Sequence, residues 1–193
     1  MNLVDCESAL ETLKSGLPII FPTDTLPAIG CLPEFSNIIY EFKKREKNKP
    51  LILMGSEQKQ LIEYVHESAK EDYENIASTY WPGALTIVIP CSEKQHVILT
   101  SKDFTLGLRI PNSHMAQALI KKTGPLLTSS ANISGFMGSM TAKGIASDFP
   151  SLKILGPIPW KKSSGKASTV ISWRKGGDWK ILRKGEVLVR DLR

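Results

Sequence analysis

Residues 125–135 read "PLLTSSANISG". Pro125, Leu126 and Leu127 suit a buried strand, but Thr128, Ser129, Ser130 and Asn132 follow, broken only by Ala131. A solvated loop more often carries Lys, Glu or Pro. Small hydroxyls and a carboxamide at a strand exit bond their own backbone and hold a turn. They also leave N–H groups free to face an anion, and they let a ligand approach closely. A plain hydroxyl-rich turn accounts for the same residues equally well.

Working outward from this strand, "TLGLRIP" (105–111) and "ALTIVIP" (84–90) are apolar runs that end at prolines, which cannot continue a ladder. "LPIIFPT" (17–23) and "PLILM" (50–54) read as further strands, and "ASTVISW", "DWKILR" and "EVLVR" as short closing ones. Helical spacing marks 7–16, 34–46 and 112–124, and residues 57–80 read as an acidic helical stretch in two pieces. Past residue 136 the chain reads as loop-rich. Helices and strands are interspersed without strict alternation. The pattern predicts an α+β (mixed α/β) fold, with a twisted mixed sheet and helices packed on it.

Composition fits a single domain over 1–193: 41% of residues are hydrophobic and 23% charged. No apolar run reaches the length of a membrane span, and the first residues lack the pattern of a signal peptide. The three cysteines, Cys6, Cys31 and Cys91, form no C-x-x-C pair, which disfavours a disulfide framework or a zinc site and suits a reducing cytoplasm. The net charge of +6 is uneven: residues 151–193 carry +8 and residues 1–150 carry −2. A basic end on a near-neutral body suits a polyanion partner or an anionic substrate, and equally a solvated basic surface.

G-x-G-x-x-G is absent. "SSGKAST" (163–169) resembles the end of a P-loop, but Trp160 stands where the first Gly should be and Ala167 follows the Lys. The three histidines are scattered, so no metal cage is expected from them.

Four polar stretches remain, each beside a strand end: "FPTDT" (21–25), "KKREKNKPL" (43–51), "GLRIP" (107–111) and the opening stretch. Leu106, Leu108 and Ile110 alternate with Gly107 and Arg109, so Arg109 projects from the other strand face. If that face is covered, the guanidinium needs an anion; if it is open, solvent suffices. Lys43 and Arg45 are two apart and point nearly opposite ways on a helix. They can serve one ligand only if the helix ends near them. Lys49 precedes Pro50, which holds it extended.

Taken together and in order, these stretches resemble the YrdC-like family of threonylcarbamoyl-AMP synthases. "FPTDTLPAIGC" is similar to P-T-[ED]-T-x-Y-G-L-G, "KKREKNKPL" to K-x-R-x-x-x-[KN]-P-L and "YWPGALTIVI" to W-P-G-P-x-T. "GLRIPNS" is similar to V-R-[IV]-P and "LLTSSANISG" to S-x-S-A-N-x-S-G, while "ASTVIS" and "ILRKGEV" resemble the closing elements. Pro27 and Ala28 depart from the family's Tyr and Gly, and "SGFMGSMTA" departs from S-G-x-x-[SP]-[SP]-T.

The resemblance implies a large twisted mixed sheet with an open basic cavity. It implies synthesis of threonylcarbamoyl-AMP from L-threonine, bicarbonate and ATP, with pyrophosphate released and magnesium carried on the ATP. No side-chain nucleophile is required. By position it assigns Thr23, Lys49, Arg109, Ser130 and Ser168 to threonine, and Lys43, Arg45, Asn132, Thr141 and Arg183 to ATP. A tRNA threonylcarbamoyl transferase would accept the product. It also implies the short form, without a separate C-terminal domain. An RNA-binding module for tRNA or double-stranded RNA, or a paralogue with another substrate, are the alternatives.

Overall fold

The computed structural model describes residues 1–93, 95 and 103–189. Its elements in chain order are β1 (Asn2–Val4), α1 (Cys6–Lys14), β2 (Ile19–Phe21), β3 (Ala28–Cys31) and α2 (Asn37–Lys43). Then come β4 (Ile52–Met54), α3 (Gln58–Leu61), α4 (Lys70–Tyr80), β5 (Leu85–Pro90), β6 (Thr105–Arg109), α5 (His114–Thr123) and β7 (Leu126–Ser130). The last are α6 (Ala142–Asp148), β8 (Lys153–Leu155), β9 (Thr169–Arg174) and β10 (Asp178–Arg183).

Among the described residues the strands form one ten-stranded sheet, ordered β1-β8-β2-β3-β7-β4-β6-β5-β9-β10. Pairings are mixed. β4 lies parallel to β6, while β7 lies antiparallel to both β3 and β4. The expected mixed architecture is therefore present.

Four elements lie outside the expectations: β1, β3, α6 and β8. One expected strand is corrected. Residues 186–189 of "EVLVR" form no strand, and residue 190 lies outside the described residues. That segment is held by single contacts instead: Glu186 N–H donates to the Ala167 carbonyl at 2.9 Å, and the Thr169 hydroxyl donates to the Val187 carbonyl.

Strand alternation splits the buried side chains between two faces. Ile20, Ile29, Leu53, Leu108 and Leu127 join one core with Ile39 and Tyr40 of α2 and Tyr73 and Ala77 of α4. Ile19, Phe21, Ala28, Met54 and Leu126 join a second, smaller core under α1 and α5. Thr128 and Ser130 alternate with Leu127 and so stand on the second face, as Ile52 does beside Met54 and Arg109 beside Leu108. This is the face that carries the site.

Close packing of that face relies on Gly30 in β3. A Cβ there would lie 2.9 Å from Phe21 Cε1 and 3.2 Å from Thr128 Cγ2. Gly30→Ala is expected to cost about 1–3 kcal/mol through overpacking. Thermal denaturation should show a fall of roughly 2–10 °C. An unchanged transition would mean that the sheet yields here at no cost.

Candidate functional site

Helix α2 ends at Lys43, and Lys44 adopts the left-handed conformation at φ 50°. The turn redirects the chain and separates the two basic residues that a continuing helix would point apart. Lys43 goes inward and is 1% exposed. Its Nζ donates to the Ser130 carbonyl, to the Asn132 carbonyl at 2.6 Å and to Asn132 Oδ1 at 3.2 Å. Ser134 N–H returns a bond to the Lys43 carbonyl at 2.9 Å. The exit of "PLLTSSANISG" is thus wrapped around a buried ammonium. Burial, and secondarily the charge of Arg45, lowers the Lys43 pKa to about 7. The three oxygens around Nζ match the three donors of an ammonium and work in the opposite sense.

Arg45 turns toward the sheet, its Nε donating to the Lys49 carbonyl at 3.1 Å and its Nη2 to the Pro50 carbonyl at 3.2 Å. Together with Arg109 and Arg183 it lines a cavity of about 140 Å³. The floor is Ala28, Ile52, Met54, Thr128 and Ser130 of the second sheet face.

Arg109 is 3% exposed. Its Nη2 donates to Asp24 Oδ1 at 2.7 Å, its Nη1 to Thr25 Oγ1 at 2.8 Å and its Nε to the Gly83 carbonyl at 3.0 Å. The anion that a covered arginine requires is therefore the Asp24 carboxylate. Burial pushes the Arg109 pKa down, and the charge and hydrogen bond of Asp24 oppose it. Three of the five guanidinium donors are engaged, so two remain.

On the far wall Ser168 is buried, shares a hydrogen bond with Thr86 Oγ1 at 2.8 Å and accepts from Arg183 Nη2 at 3.1 Å. Residues 164–168 cross above the β2–β3 loop. Ser164 N–H donates to the Asp24 carbonyl at 3.0 Å. Part of the basic C-terminal segment is thus built into the site wall.

A second cavity, of about 310 Å³, adjoins the first through Leu26 and Ser130, which line both. Asn132 lies on its wall. Its side chain accepts from Ser130 Oγ at 2.5 Å and donates to the Ile133 and Phe136 carbonyls at 2.9 and 2.8 Å.

Of the ten residues assigned by resemblance, Arg45, Arg109, Ser130, Ser168, Arg183 and Asn132 border these two cavities. Lys43 lies behind them as a clamp on the strand exit, engaged by three protein oxygens. Thr23 is buried and donates to the Leu26 carbonyl at 2.7 Å, which shapes the turn; Thr25, two residues on, is the threonine that borders the first cavity. Lys49 points outward to Glu46 at 3.4 Å and serves the site through its carbonyl, which accepts from Arg45. Thr141 caps α6, accepting from Gly144 N–H at 3.2 Å, and borders neither cavity.

Asp24 and Thr25 escaped the sequence reading, although both lie in a quoted motif. Their spacing looks like a turn, and only the tertiary approach of Arg109 gives them a task. No group of three His, Cys, Asp or Glu that could hold a metal occurs among the described residues. No helix is long and apolar enough to cross a membrane among them.

A mixed sheet, three arginines around one small cavity and an apolar annex beside it define an α/β scaffold with a cationic site. The family model described as Sua5_yciO_yrdC, telomere recombination, matches residues 11–185. The threonylcarbamoyl-AMP synthase of Buchnera aphidicola subsp. Baizongia pistaciae is 29% identical over 179 residues, covering 89% of this chain and 96% of that protein. The synthase of Blochmanniella floridana is 33% identical over 150 residues, covering 72% of this chain and 79% of that protein. The crystal structure of P. abyssi Sua5 complexed with L-threonine superposes with a TM-score of 0.85 at 28% identity. That match covers 96% of this chain and 58% of that longer one. The chain belongs to the Sua5/YrdC family.

Lys43→Met removes the donor from three inward oxygens, and a buried acceptor left without a partner costs about 1–3 kcal/mol. Urea denaturation should show net destabilisation by about that amount. Because the folded pKa lies near 7 and the ordinary value is 10.5, the unfolded chain binds the extra proton between them. Stability of the wild type therefore rises with pH through that window. The gap between wild type and variant should widen from pH 7 toward pH 10; a gap that narrows would place the folded pKa above the unfolded one.

Proposed function

We infer that this chain is a threonylcarbamoyl-AMP synthase, an enzyme that joins L-threonine and ATP. The observation that carries the reading is the single cavity bordered by Arg45, Arg109 and Arg183 in a member of this family. Two substrates that each present an anionic group and must react with each other need one shared cationic site. The sequence reading gave Arg109 and Arg45 to different substrates; their common cavity supports two substrates held side by side in one site.

The reaction consumes bicarbonate as the third substrate. The threonine amine takes up carbon dioxide or bicarbonate to give a carbamate, with water lost in the latter case. A carbamate oxygen then bonds to the α-phosphorus, and the bond from that phosphorus to the bridging oxygen breaks to release pyrophosphate. Magnesium arrives on the triphosphate as part of the substrate.

The chain's own contribution is alignment and positive charge. Arg109, fixed on a central strand and braced by Asp24, suits the small threonine carboxylate through its remaining donors. Arg45 and Arg183 suit the phosphates. Ser130 and Ser168 supply small polar walls near the threonine. The product passes to a tRNA threonylcarbamoyl transferase in the cytoplasm, and the basic residues of 151–189 face the RNA.

Pyrophosphate release should require ATP, L-threonine and bicarbonate together. Release that ignores threonine sinks the reading. Arg109→Lys keeps the charge and loses the fork. A charged hydrogen bond contributes about 1.5–3 kcal/mol. Threonine affinity should then fall roughly 10- to 150-fold in calorimetric titration with a non-hydrolysable ATP analogue present, while the thermal transition reports whether the Asp24 contact is kept.

A further inference from the structure

The stretch "YWPGALTIVI" (80–89) lends no side chain to the wall of the arginine cavity. Within it, β5 sends Leu85, Ile87 and Ile89 into the first core, so strand alternation turns Thr86 to the site face. Ile87 pairs with Leu108, and one step further along the two antiparallel strands come Thr86 and Arg109. Thr86 is 1% exposed. Its Oγ1 lies 2.8 Å from the Oγ of Ser168, which lines the cavity.

The direction of this hydrogen bond follows from what else each hydroxyl can reach. A hydroxyl has one proton to donate and two lone pairs. Ser168 Oγ accepts from Arg183 Nη2 at 3.1 Å, and the Ser168 carbonyl accepts from Arg183 Nε at 3.1 Å. If Ser168 donated to Thr86, the Thr86 proton would need another acceptor, and Oγ1 has no second partner among the described residues. A buried donor left unpaired is costly. If Thr86 donates, both lone pairs of Ser168 Oγ are filled and the Ser168 proton is free. That proton has an outlet, because Ser168 borders the cavity.

We propose that Thr86 is a positioning residue: by donating to Ser168 Oγ it turns the Ser168 proton into the cavity, toward the carboxylate of the amino-acid substrate. This rests on the synthase reading, in which Ser168 stands near the threonine. Thr86 and Arg183 together leave the Ser168 hydroxyl one orientation. The three residues come from β5, from the residue just before β9, and from β10, which are neighbours in the sheet. Backbone pairing therefore holds the series in place: Leu85 pairs with Thr169, and β9 pairs with β10. Thr86 makes and breaks no covalent bond. It acts on the substrate only through the direction of one neighbouring proton.

The test is steady-state pyrophosphate release by the full chain, with threonine varied at saturating ATP and bicarbonate, then ATP varied at saturating threonine. Thr86→Val keeps the shape and removes the donor. It should raise KM for threonine roughly 2- to 12-fold, the range of a neutral hydrogen bond. The kcat and the KM for ATP should stay as in wild type, the pattern of binding lost equally from ground and transition states. Thr86→Ser restores the hydroxyl and should bring the KM for threonine back. Ser168→Ala should raise that KM by more. Thr86→Val added to Ser168→Ala should raise it no further, because the proton that Thr86 orients is gone.

A KM for threonine that is unchanged or lower in Thr86→Val overturns the proposal, since Ser168 would then be the donor and the variant would set its proton free. Equal increases for threonine and ATP overturn it too, as does a loss in Thr86→Val that adds to that of Ser168→Ala; either leaves Thr86 a packing residue. Thr86→Ala, which adds no bulk, carries the same comparison if Thr86→Val fails to fold. A wild type that releases no pyrophosphate with threonine present sinks the synthase reading and this inference together. Wild-type release without a Thr86 dependence sinks this inference alone.

Discussion

A lysine ammonium with 1% exposure is the contact on which the site depends. Removing such a charge from water costs several kcal/mol, so it persists only where oxygens replace the lost solvent. Here the replacement comes from one place, the end of β7. The Ser130 and Asn132 carbonyls and Asn132 Oδ1 converge on Nζ. Two of these acceptors are backbone carbonyls, and only Oδ1 requires the Asn132 side chain. The exit of β7 is therefore a cation clamp first. Its consequence is that Ser130 and Asn132, the two residues shared with or facing the cavities, are fixed by a group that borders neither cavity.

The same logic governs Arg109, with a different partner. It rises from a central strand where β4 runs parallel and β5 antiparallel to β6. Asp24 supplies the counter-charge from the β2–β3 loop, and Thr25 and Gly83 satisfy two further donors. A buried pair of this kind adds little net stability, because desolvation offsets most of the attraction. What it does is hold the guanidinium in one orientation. Removing Asp24 would leave a charge uncompensated, so the loop that carries it is tied to the strand. The segment 164–168 is then tied to the loop through Asp24 and Thr25 carbonyls.

The sequence patterns carried the long strands and the helices well, because their apolar runs and periodicities are local. β1, β3 and β8 are three or four residues each. β2 and β4 are as short and were still read, so length alone does not decide; β1 and β8 become strands through each other, paired across some 150 residues, while β3 pairs with neighbouring β2 and distant β7. α6 holds Gly144 in its interior and is capped by Thr141, which the resemblance assigns to ATP. In the site, Arg109 was legible from strand alternation. The burial of Lys43 was not read, although it lies four residues past Ile39 and three past Tyr40 on the inward face of α2, because its basic neighbours Lys44 and Arg45 mask that spacing. Asp24 was not legible, for its role exists only once Arg109 reaches it.

Burial is the main cause that lowers the pKa of Arg109 and of Lys43, and the charges of Arg183 and Arg45 act in the same direction, so the cations around the site repel one another. That repulsion is a cost the fold carries to keep positive charge concentrated, and an anionic substrate relieves it on arrival. The second cavity adjoins this charged one through Leu26 and Ser130 and is lined mostly by apolar side chains, so positive charge is confined to the arginine side. Confinement of charge to one small cavity favours phosphate and carboxylate groups there over neutral ligands.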